Sequence, residues 1–294
     1  MTKWTNGVPA RYRFRLCDLK FVRALVLDTS YDSKVILTLT PSQSLWYEYK
    51  ISSRVQNDGD EIHDHASGFI CIDTDFPDTQ APIGALEPLK APVSASSWYK
   101  AMRGCGFNFG PSFQKHLYME YPEGQQTSRS TVSLQTPGSA WPQTFYPIHP
   151  ACMDGCFQTV IASVWKGDQS AVNVTLVPLS IDSLIIPQNR PYELPSEGIA
   201  VAESAFKGVG RADLVKNYLA STAVFHPVSG ALLIEMKGLR YTELDNSIGS
   251  LDTRLTEHSY GLVKWAPDIS LLSEAGFGQV MADIFTEGQE GCPM

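Results

Sequence analysis

Residues 145–158 carry the most informative local pattern in the chain, Phe145-Tyr146-Pro147-Ile148-His149-Pro150-Ala151-Cys152-Met153-Asp154-Gly155-Cys156-Phe157-Gln158. Their first part is predicted to be extended, because each proline pushes the residue before it out of the helical region. Pro150 suits the first position of a helix, since its φ is preset and no hydrogen bond is lost there. Apolar residues then recur at helical spacing as far as Val164, so a single helix is predicted over residues 150–165.

Two polar side chains are predicted to lie together near the start of this helix. Asp154 falls near the first turn, where the helix dipole favours negative charge, and Gln158 lies one turn further along the same face. An acid beside an amide at the start of a mostly buried helix suits proton-transfer chemistry. The alternative is that Asp154 only complements the helix dipole, and spacing alone favours this structural role.

Two motifs give the chain a family resemblance. The pattern His-Pro-x-x-x-Asp-x-x-x-Gln, which starts at His149 and ends at Gln158, resembles a motif in the second half of the dehydratase domains of modular and fungal polyketide synthases. The segment Gly104-Cys105-Gly106-Phe107-Asn108-Phe109-Gly110-Pro111-Ser112-Phe113-Gln114 is similar to the Gly-aromatic-x-aromatic-Gly-Pro-x-Phe segment of that family. The resemblance covers residues 12–245, and residues 259–272 resemble the segment after the dehydratase in fungal highly reducing synthases.

The resemblance implies both a fold and a reaction. The fold is α+β, a double hot-dog in which antiparallel sheets curl around a central helix. In the family, an aspartate works with a histidine from the other half to remove water from a 3-hydroxyacyl chain. That chain is carried on the phosphopantetheine of an acyl carrier protein, so no cofactor is implied. Asp154 and Gln158 are the catalytic candidates. The substrate-binding candidates are His149, Pro150, Phe109, Gly110 and Pro111.

The family's catalytic histidine has no counterpart in this sequence. It belongs to the pattern His-x-x-x-Gly-x-x-x-x-Pro, which none of the six histidines fits: His63, His65, His116, His149, His226 and His258. We therefore expect an N-terminally truncated dehydratase whose first hot-dog is incomplete and lacks its helix. Two other functions remain open. One is a non-catalytic module that binds acyl chains or a synthase, and the other is a hot-dog thioester hydrolase that uses the same carboxylate.

Four regions are predicted along the chain. Residues 1–73 are a partial first hot-dog, with period-two strands at 12–27, 33–40, 45–52 and 61–73. Residues 74–95 contain four prolines and form a linker, and residues 246–294 form a second, linker-like tail. Residues 96–245 are the second hot-dog, with a short helix at 98–103 capped by Ser96 and Ser97. Its strands are predicted at 112–121, 130–135, 172–176, 180–186, 198–206, 216–225 and 231–241, the last two joined by a hairpin at 226–230.

Composition limits the partners and the location. A hydrophobic share of 43% and a charged share of 18% are typical of a globular protein. The chain has neither a long apolar run nor a secretory leader pattern, so no membrane contact and a cytoplasmic location are expected. The net charge of −8 argues against nucleic acid. The expected partners are an acyl carrier protein and other synthase domains. A homodimer is also expected, because an uncovered first half would expose an apolar face.

Three local features favour structural roles. His63 and His65 share a face of a predicted strand, but the sequence places no third ligand beside them, so no metal site is predicted. Arg11, Arg13 and Arg15 alternate with apolar residues, which favours a strand with one solvated face over a docking strip for a carrier protein. The six cysteines form no Cys-x-x-Cys pair and are expected to be reduced.

Overall fold

The computed structural model describes residues 11–26, 33–55, 62–89, 92–122, 124–139, 144, 146–189, 194–206 and 217–244. Eleven strands in these residues are β1 Arg11–Phe21, β2 Ser33–Pro41, β3 Tyr47–Val55, β4 Ile62–Asp73, β5 Val93–Ser94, β6 His116–Glu120, β7 Thr127–Ser133, β8 Thr175–Asn189, β9 Glu197–Phe206, β10 Asn217–Phe225 and β11 Leu232–Leu244. The described helices are α1 Ala95–Gly104, α2 Pro150–Gln158 and α3 Val160–Val164. The tail predicted at 246–294 lies outside the described residues, as does Phe145.

The described strands form one sheet in the order β2-β3-β4-β1-β8-β11-β10-β9-β7-β6-β5. The first-half strands and the second-half strands join where β1 pairs with β8, with Phe14 opposite Ile186 and Leu16 opposite Leu184. Each pairing is antiparallel, as the period-two patterns predicted. The predicted hairpin at 226–230 is also confirmed, because Gly230 N donates to His226 O and His226 N donates to Ala231 O.

The predicted helix over 150–165 is confirmed apart from a one-residue break at Thr159, whose backbone keeps a helical conformation with φ of −54° and ψ of −31°. Helix α2 ends at Gln158, and α3 begins two residues later at Val160. Ser128 Oγ on β7 donates a 2.7 Å hydrogen bond to Thr159 O at this junction. The apolar stripe still packs as expected, since Val160 is fully buried and Cys156 lies in the same core cluster against the sheet.

Several sequence-based boundaries are wrong, among them the end of the first strand, predicted at residue 27 and found at Phe21. A single strand, β8, replaces the two strands predicted at 172–176 and 180–186. It continues through Pro178 because the register with β11 shifts there, so that no backbone N–H is needed from the proline. The strand predicted from residue 112 begins only at His116, after a 3₁₀ turn at Pro111–Phe113. Helix α1 is capped by Ser94, not by Ser96 or Ser97, and it starts three residues earlier than predicted.

The proline-rich segment after β4 is hydrogen-bonded to the second half of the sheet. Ala81 N donates to Gly230 O, and Leu232 N donates to Thr79 O. Arg129 on β7 donates to the carbonyl oxygens of Ala85 and Leu86. Glu120 on β6 accepts a further hydrogen bond from Leu89 N at 2.6 Å. The segment is therefore held across the strands by backbone bridges and by charged side chains.

One face of the first-half strands is apolar, and its β2 part is exposed. Register places Leu37 opposite Ile51 and Leu39 opposite Tyr49, so these side chains share a face. Leu37 and Leu39 on β2 are 62% and 54% exposed. Helices α2 and α3 cover the corresponding second-half strands, whereas no described helix lies between residues 11 and 89.

Arg13 does not belong to a free basic strip. Its Nε and Nη2 atoms donate to Asp73 Oδ2 at 2.9 and 2.6 Å, and its guanidinium lies 4.6 Å from the centre of the Phe76 ring. Arg11 forms an ion pair with Asp78 at 2.6 Å. These intramolecular partners agree with the interpretation of a strand face rather than a docking strip.

Candidate functional site

His149 and Pro150 begin helix α2 as the sequence predicted. Pro150 is the first helical residue, and His149 is the N-cap, whose Nδ1 accepts a hydrogen bond from Ala151 N at 3.2 Å. The His149 ring meets the Tyr146 ring edge-on, with 5.5 Å between centroids. His149 also lines a cavity of about 520 Å³ together with Leu134 and Tyr146, and Asp154 is not among the described residues that line it. The observed role of His149 is thus helix capping, and its contact with substrate stays a prediction.

Asp154 does not lie in the first turn of α2. It is the fifth residue of the helix, and the first turn holds no acid. The simple explanation that Asp154 complements the helix dipole therefore fails, because that effect fades after the first turn. Burial raises the pKa of Asp154, and a hydrogen bond from Gln158 lowers it in part. The net pKa lies above the ordinary value, so Asp154 holds its proton to a higher pH than an exposed aspartate does.

Both ends of the Gln158 amide form hydrogen bonds next to this carboxyl group. Its Nε2 donates to Asp154 Oδ2 at 2.7 Å and to Phe113 O at 3.2 Å. Its Oε1 accepts from Tyr99 Oη at 3.1 Å. The side chain is only 4% exposed, so these protein bonds replace those it would make to water. The predicted pairing of Asp154 with Gln158 is present in the structure, and their catalytic roles stay predictions.

The glycine-rich motif approaches α2 through the 3₁₀ turn that follows Gly110. The Phe109 ring stacks on Phe107 with 5.6 Å between centroids and meets Tyr99 edge-on at 6.3 Å. Pro111 opens the turn that ends at Phe113, the carbonyl of which accepts from Gln158. The motif residues Phe109 and Pro111 therefore lie on the segment that contacts Gln158.

Only one glycine of this motif has a backbone conformation that favours glycine over other residues. Gly106 has φ of +108°, a conformation that residues with a side chain rarely adopt. Gly110 has an ordinary extended conformation with φ of −70°, and an added Cβ would meet nothing within 4 Å. Neither the backbone nor the packing of the protein therefore requires glycine at position 110, and a substrate contact there stays a prediction.

Sequence reasoning missed two residues of this network, Tyr99 and His116. Tyr99 Oη accepts a hydrogen bond from His116 N at 3.1 Å. Burial and the nearby charge of Asp154 raise the pKa of Tyr99 to about 12, although backbone hydrogen bonds lower it in part. Tyr99 lies 17 positions from His116 and 59 from Gln158, so no local pattern in the sequence connects them.

The histidine pair on β4 has protein partners. His65 Nε2 lies 2.7 Å from Ser53 Oγ, and its Nδ1 lies 3.1 Å from Arg23 O. His63 Nδ1 lies 2.7 Å from Arg23 Nη1. In the part of the chain that the structure describes, no three histidine, cysteine or acidic side chains cluster as metal ligands.

These features define a hot-dog type of fold with an acid and an amide on its central helix. Residues 77–250, more than half of the chain, match the family described as the polyketide synthase dehydratase N-terminal domain. The chain therefore belongs to the polyketide synthase dehydratase family, as the two motifs predicted.

Comparison with curated proteins points to the same family. The chain is 40% identical over 263 residues to a highly reducing polyketide synthase of Eupenicillium brefeldianum, and 32% identical over 263 residues to the highly reducing polyketide synthase claI of Penicillium crustosum. Each match covers 89% of this chain and 11% of the relative. The chain is thus homologous to one region of a multidomain synthase and spans a small part of its length.

Solved structures support the fold. The dehydratase domain of the CurJ module of the curacin polyketide synthase superposes with a TM-score of 0.65 at 19% identity, covering 80% of this chain and 77% of that one. The dehydratase domain of RzxB from Pseudomonas fluorescens gives a TM-score of 0.61 at 17% identity, with the same coverage. Among the described residues, no helix combines the length and apolarity needed to cross a membrane.

Proposed function

We propose that this chain supplies the aspartate part of a site that dehydrates 3-hydroxyacyl chains carried on an acyl carrier protein. The observation that carries the proposal is the half-buried carboxyl group of Asp154, which has a raised pKa and accepts a 2.7 Å hydrogen bond from Gln158. A carboxyl group that keeps its proton can donate it to a departing hydroxyl group. Gln158 would hold Asp154 in place, and Phe109, Gly110, Pro111, His149 and Pro150 would border the acyl chain.

Removal of water also needs a base for the proton next to the thioester carbonyl. None of the six histidines fits the family's pattern, so we propose that this base comes from a segment outside these 294 residues. The same segment would supply the helix that completes the first hot-dog. Its docking surface would be the apolar first-half face that includes Leu37 and Leu39. The CurJ dehydratase domain is consistent with such a segment, since 77% of its length is covered by this chain.

A related dehydratase is inactivated by replacement of either of two such groups. The CurK dehydratase is an inactive mutant when an aspartate is replaced by asparagine, and likewise when a histidine is replaced by phenylalanine. Transferred to this chain, the aspartate role falls on Asp154, the acid in the His-Pro-x-x-x-Asp-x-x-x-Gln motif.

The test supplies the two parts separately. Purified chain is incubated with a 3-hydroxyacyl pantetheine thioester, and the 2-enoyl product is followed by mass spectrometry. The assay is repeated after addition of a separately expressed segment that carries the histidine motif of a related synthase. We expect product only in the mixture and none when the chain carries Asp154→Asn. Product at the same rate from the chain alone would contradict the proposed division of the site.

A second candidate is a non-catalytic module that binds acyl chains or a synthase domain. It is favoured by the missing histidine pattern and by the exposed apolar face. Thioester binding without enoyl product in the mixture, unaffected by Asp154→Asn, would support this candidate. Free 3-hydroxy acid in place of the enoyl thioester would instead indicate a hydrolase.

A further inference from the structure

Tyr99 lies in a hydrogen-bond chain whose direction is set at one end by the protein backbone. The backbone N–H of His116 can only donate, and it donates to Tyr99 Oη at 3.1 Å. The Tyr99 hydroxyl proton is then free to be donated onward, and it meets Gln158 Oε1 at 3.1 Å. Hydrogen bonds are therefore donated in one direction, from His116 N to Tyr99 and from Tyr99 to Gln158.

This direction determines which end of the Gln158 amide faces Asp154. Because Oε1 accepts from Tyr99, the NH₂ group must point the other way, where it meets Asp154 Oδ2 at 2.7 Å and Phe113 O at 3.2 Å. A flipped amide would place its oxygen against the Phe113 carbonyl, which can only accept, and would leave the Tyr99 hydroxyl proton without its acceptor. Both changes are unfavourable whether or not Asp154 carries its proton.

We propose that Tyr99 is a positioning residue, which fixes the orientation of the Gln158 amide so that this amide donates to Asp154. The inference rests on the proposed role of Asp154 in dehydration, and it extends the site to a residue on α1 outside both family motifs. Tyr99 is 6% exposed, and its ring contacts Phe109 and the His116 ring, so the ring itself has a separate packing role.

The variant Tyr99→Phe separates these two roles, since it keeps the ring and removes only the hydroxyl group. Without the Tyr99 hydroxyl, the Gln158 amide loses one of the contacts that fix its orientation, and the hydrogen bond that lowers the pKa of Asp154 weakens. We expect the pKa of Asp154, measured by carboxyl ¹³C NMR titration of the full chain, to rise in Tyr99→Phe. Gln158→Leu should raise it as well, and Tyr99→Phe in that background should add nothing further.

A matched control is Tyr118→Phe, which removes a hydroxyl group from an exposed tyrosine on β6 and should leave the Asp154 titration unchanged. A purely structural role for Tyr99 would lower the melting temperature without moving this pKa, and that result would overturn the proposal. The Gln158 side-chain amide in the unmodified protein gives a second measurement, should Tyr99→Phe fail to fold. Its NH₂ protons should exchange slowly with solvent, and rapid exchange would contradict the fixed orientation.

The NMR titration needs no turnover, so it tests Tyr99 independently of the proposed function. If the histidine-bearing segment restores dehydration, Tyr99→Phe should lower kcat and leave KM nearly unchanged, because the carboxyl group and not the acyl-binding surface is affected. A lower kcat/KM that arises only from a higher KM, with kcat unchanged, would argue against a positioning role. A missing pKa shift with normal dehydration would refute the inference about Tyr99 and leave the proposed function standing.

Discussion

Arg129 on β7 and Glu120 on β6 form an ion pair whose side chains are only 7% and 3% exposed. Both partners also bind the proline-rich segment after β4, since Arg129 donates to Ala85 O and Leu86 O and Glu120 accepts from Leu89 N. A buried pair of charges with several hydrogen bonds is costly to break, because the remaining charge is left without compensation.

We therefore expect Arg129→Met to lower the free energy of unfolding by about 3–5 kcal/mol, measured by urea denaturation. The matched control is Arg240→Met, which breaks the half-exposed pair of Arg240 with Asp182 and should cost about 1 kcal/mol or less. The Arg129 variant should also be cleaved sooner by protease within residues 82–89. Equal costs for the two variants would contradict the special role of the buried pair.

The stability contributed by Asp154 should change with pH in a defined direction. A group whose pKa is raised by folding stabilises the protein at low pH, and this contribution is lost as the pH rises through the folded-state pKa. Asp154→Asn removes the titration and keeps an acceptor for Gln158. The stability of the variant relative to the unmodified protein should therefore increase from pH 4 to pH 7 in chemical denaturation.

Asp73→Asn serves as a control with the opposite sign. Burial raises the pKa of Asp73, but hydrogen bonds from Arg13 and the Asp75 backbone outweigh it, and the net shift is downward. The relative stability of that variant should fall as the pH rises to about 4 and should then stay nearly constant up to pH 7. The same trend in both variants would show that Asp154 is not desolvated.

His116 should make the protein sensitive to mild acid. Burial lowers its pKa to about 3, while the unfolded chain takes up a proton near the ordinary value. Stability is then lost as the pH falls below about 6.5, and the loss from this group reaches about 2 kcal/mol at pH 5. His116→Asn keeps a donor for Ser130 Oγ, the partner of Nδ1. Its unfolding free energy should decrease less between pH 7 and pH 5, and equal decreases would contradict a buried neutral imidazole.

Gly155 is expected to reject a methyl group even though it lies within a helix. A Cβ there would lie 2.5 Å from the Cβ of Lys115. The Lys115 side chain is itself held in place, because its Nζ donates to Gln135 O at 2.8 Å. Gly155→Ala should therefore cost about 1–3 kcal/mol through overpacking. Gly104→Ala at the end of α1 meets nothing within 4 Å and should be neutral or stabilising by up to about 1 kcal/mol. Thermal unfolding of the two variants gives the comparison.

The apolar first-half face should make the isolated chain associate with itself. Leu37→Lys places a charge in this face and should lower the apparent mass in concentration-dependent light scattering. Val228→Lys is the control, because Val228 is 87% exposed at the tip of the β10–β11 hairpin and away from that face. A monomer at all concentrations, or equal effects of both variants, would refute association through this face.

The sequence by itself determined the family, the period-two strands and the pairing of Asp154 with Gln158. These features depend on neighbours a few positions apart, which local spacing specifies directly. It failed where distant contacts override local preference. Strand β8 continues through Pro178 because its partner strand shifts register there.

Only the tertiary structure decided the environment of the candidate acid. The pKa of Asp154 depends on how much water the fold removes from it, and the Gln158 amide is oriented by Tyr99 from another helix. The buried pair of Arg129 with Glu120 likewise joins neighbouring strands to a segment about forty positions earlier in the chain. Desolvation and long-range hydrogen bonds arise when distant parts of the chain come together, so sequence spacing cannot specify them.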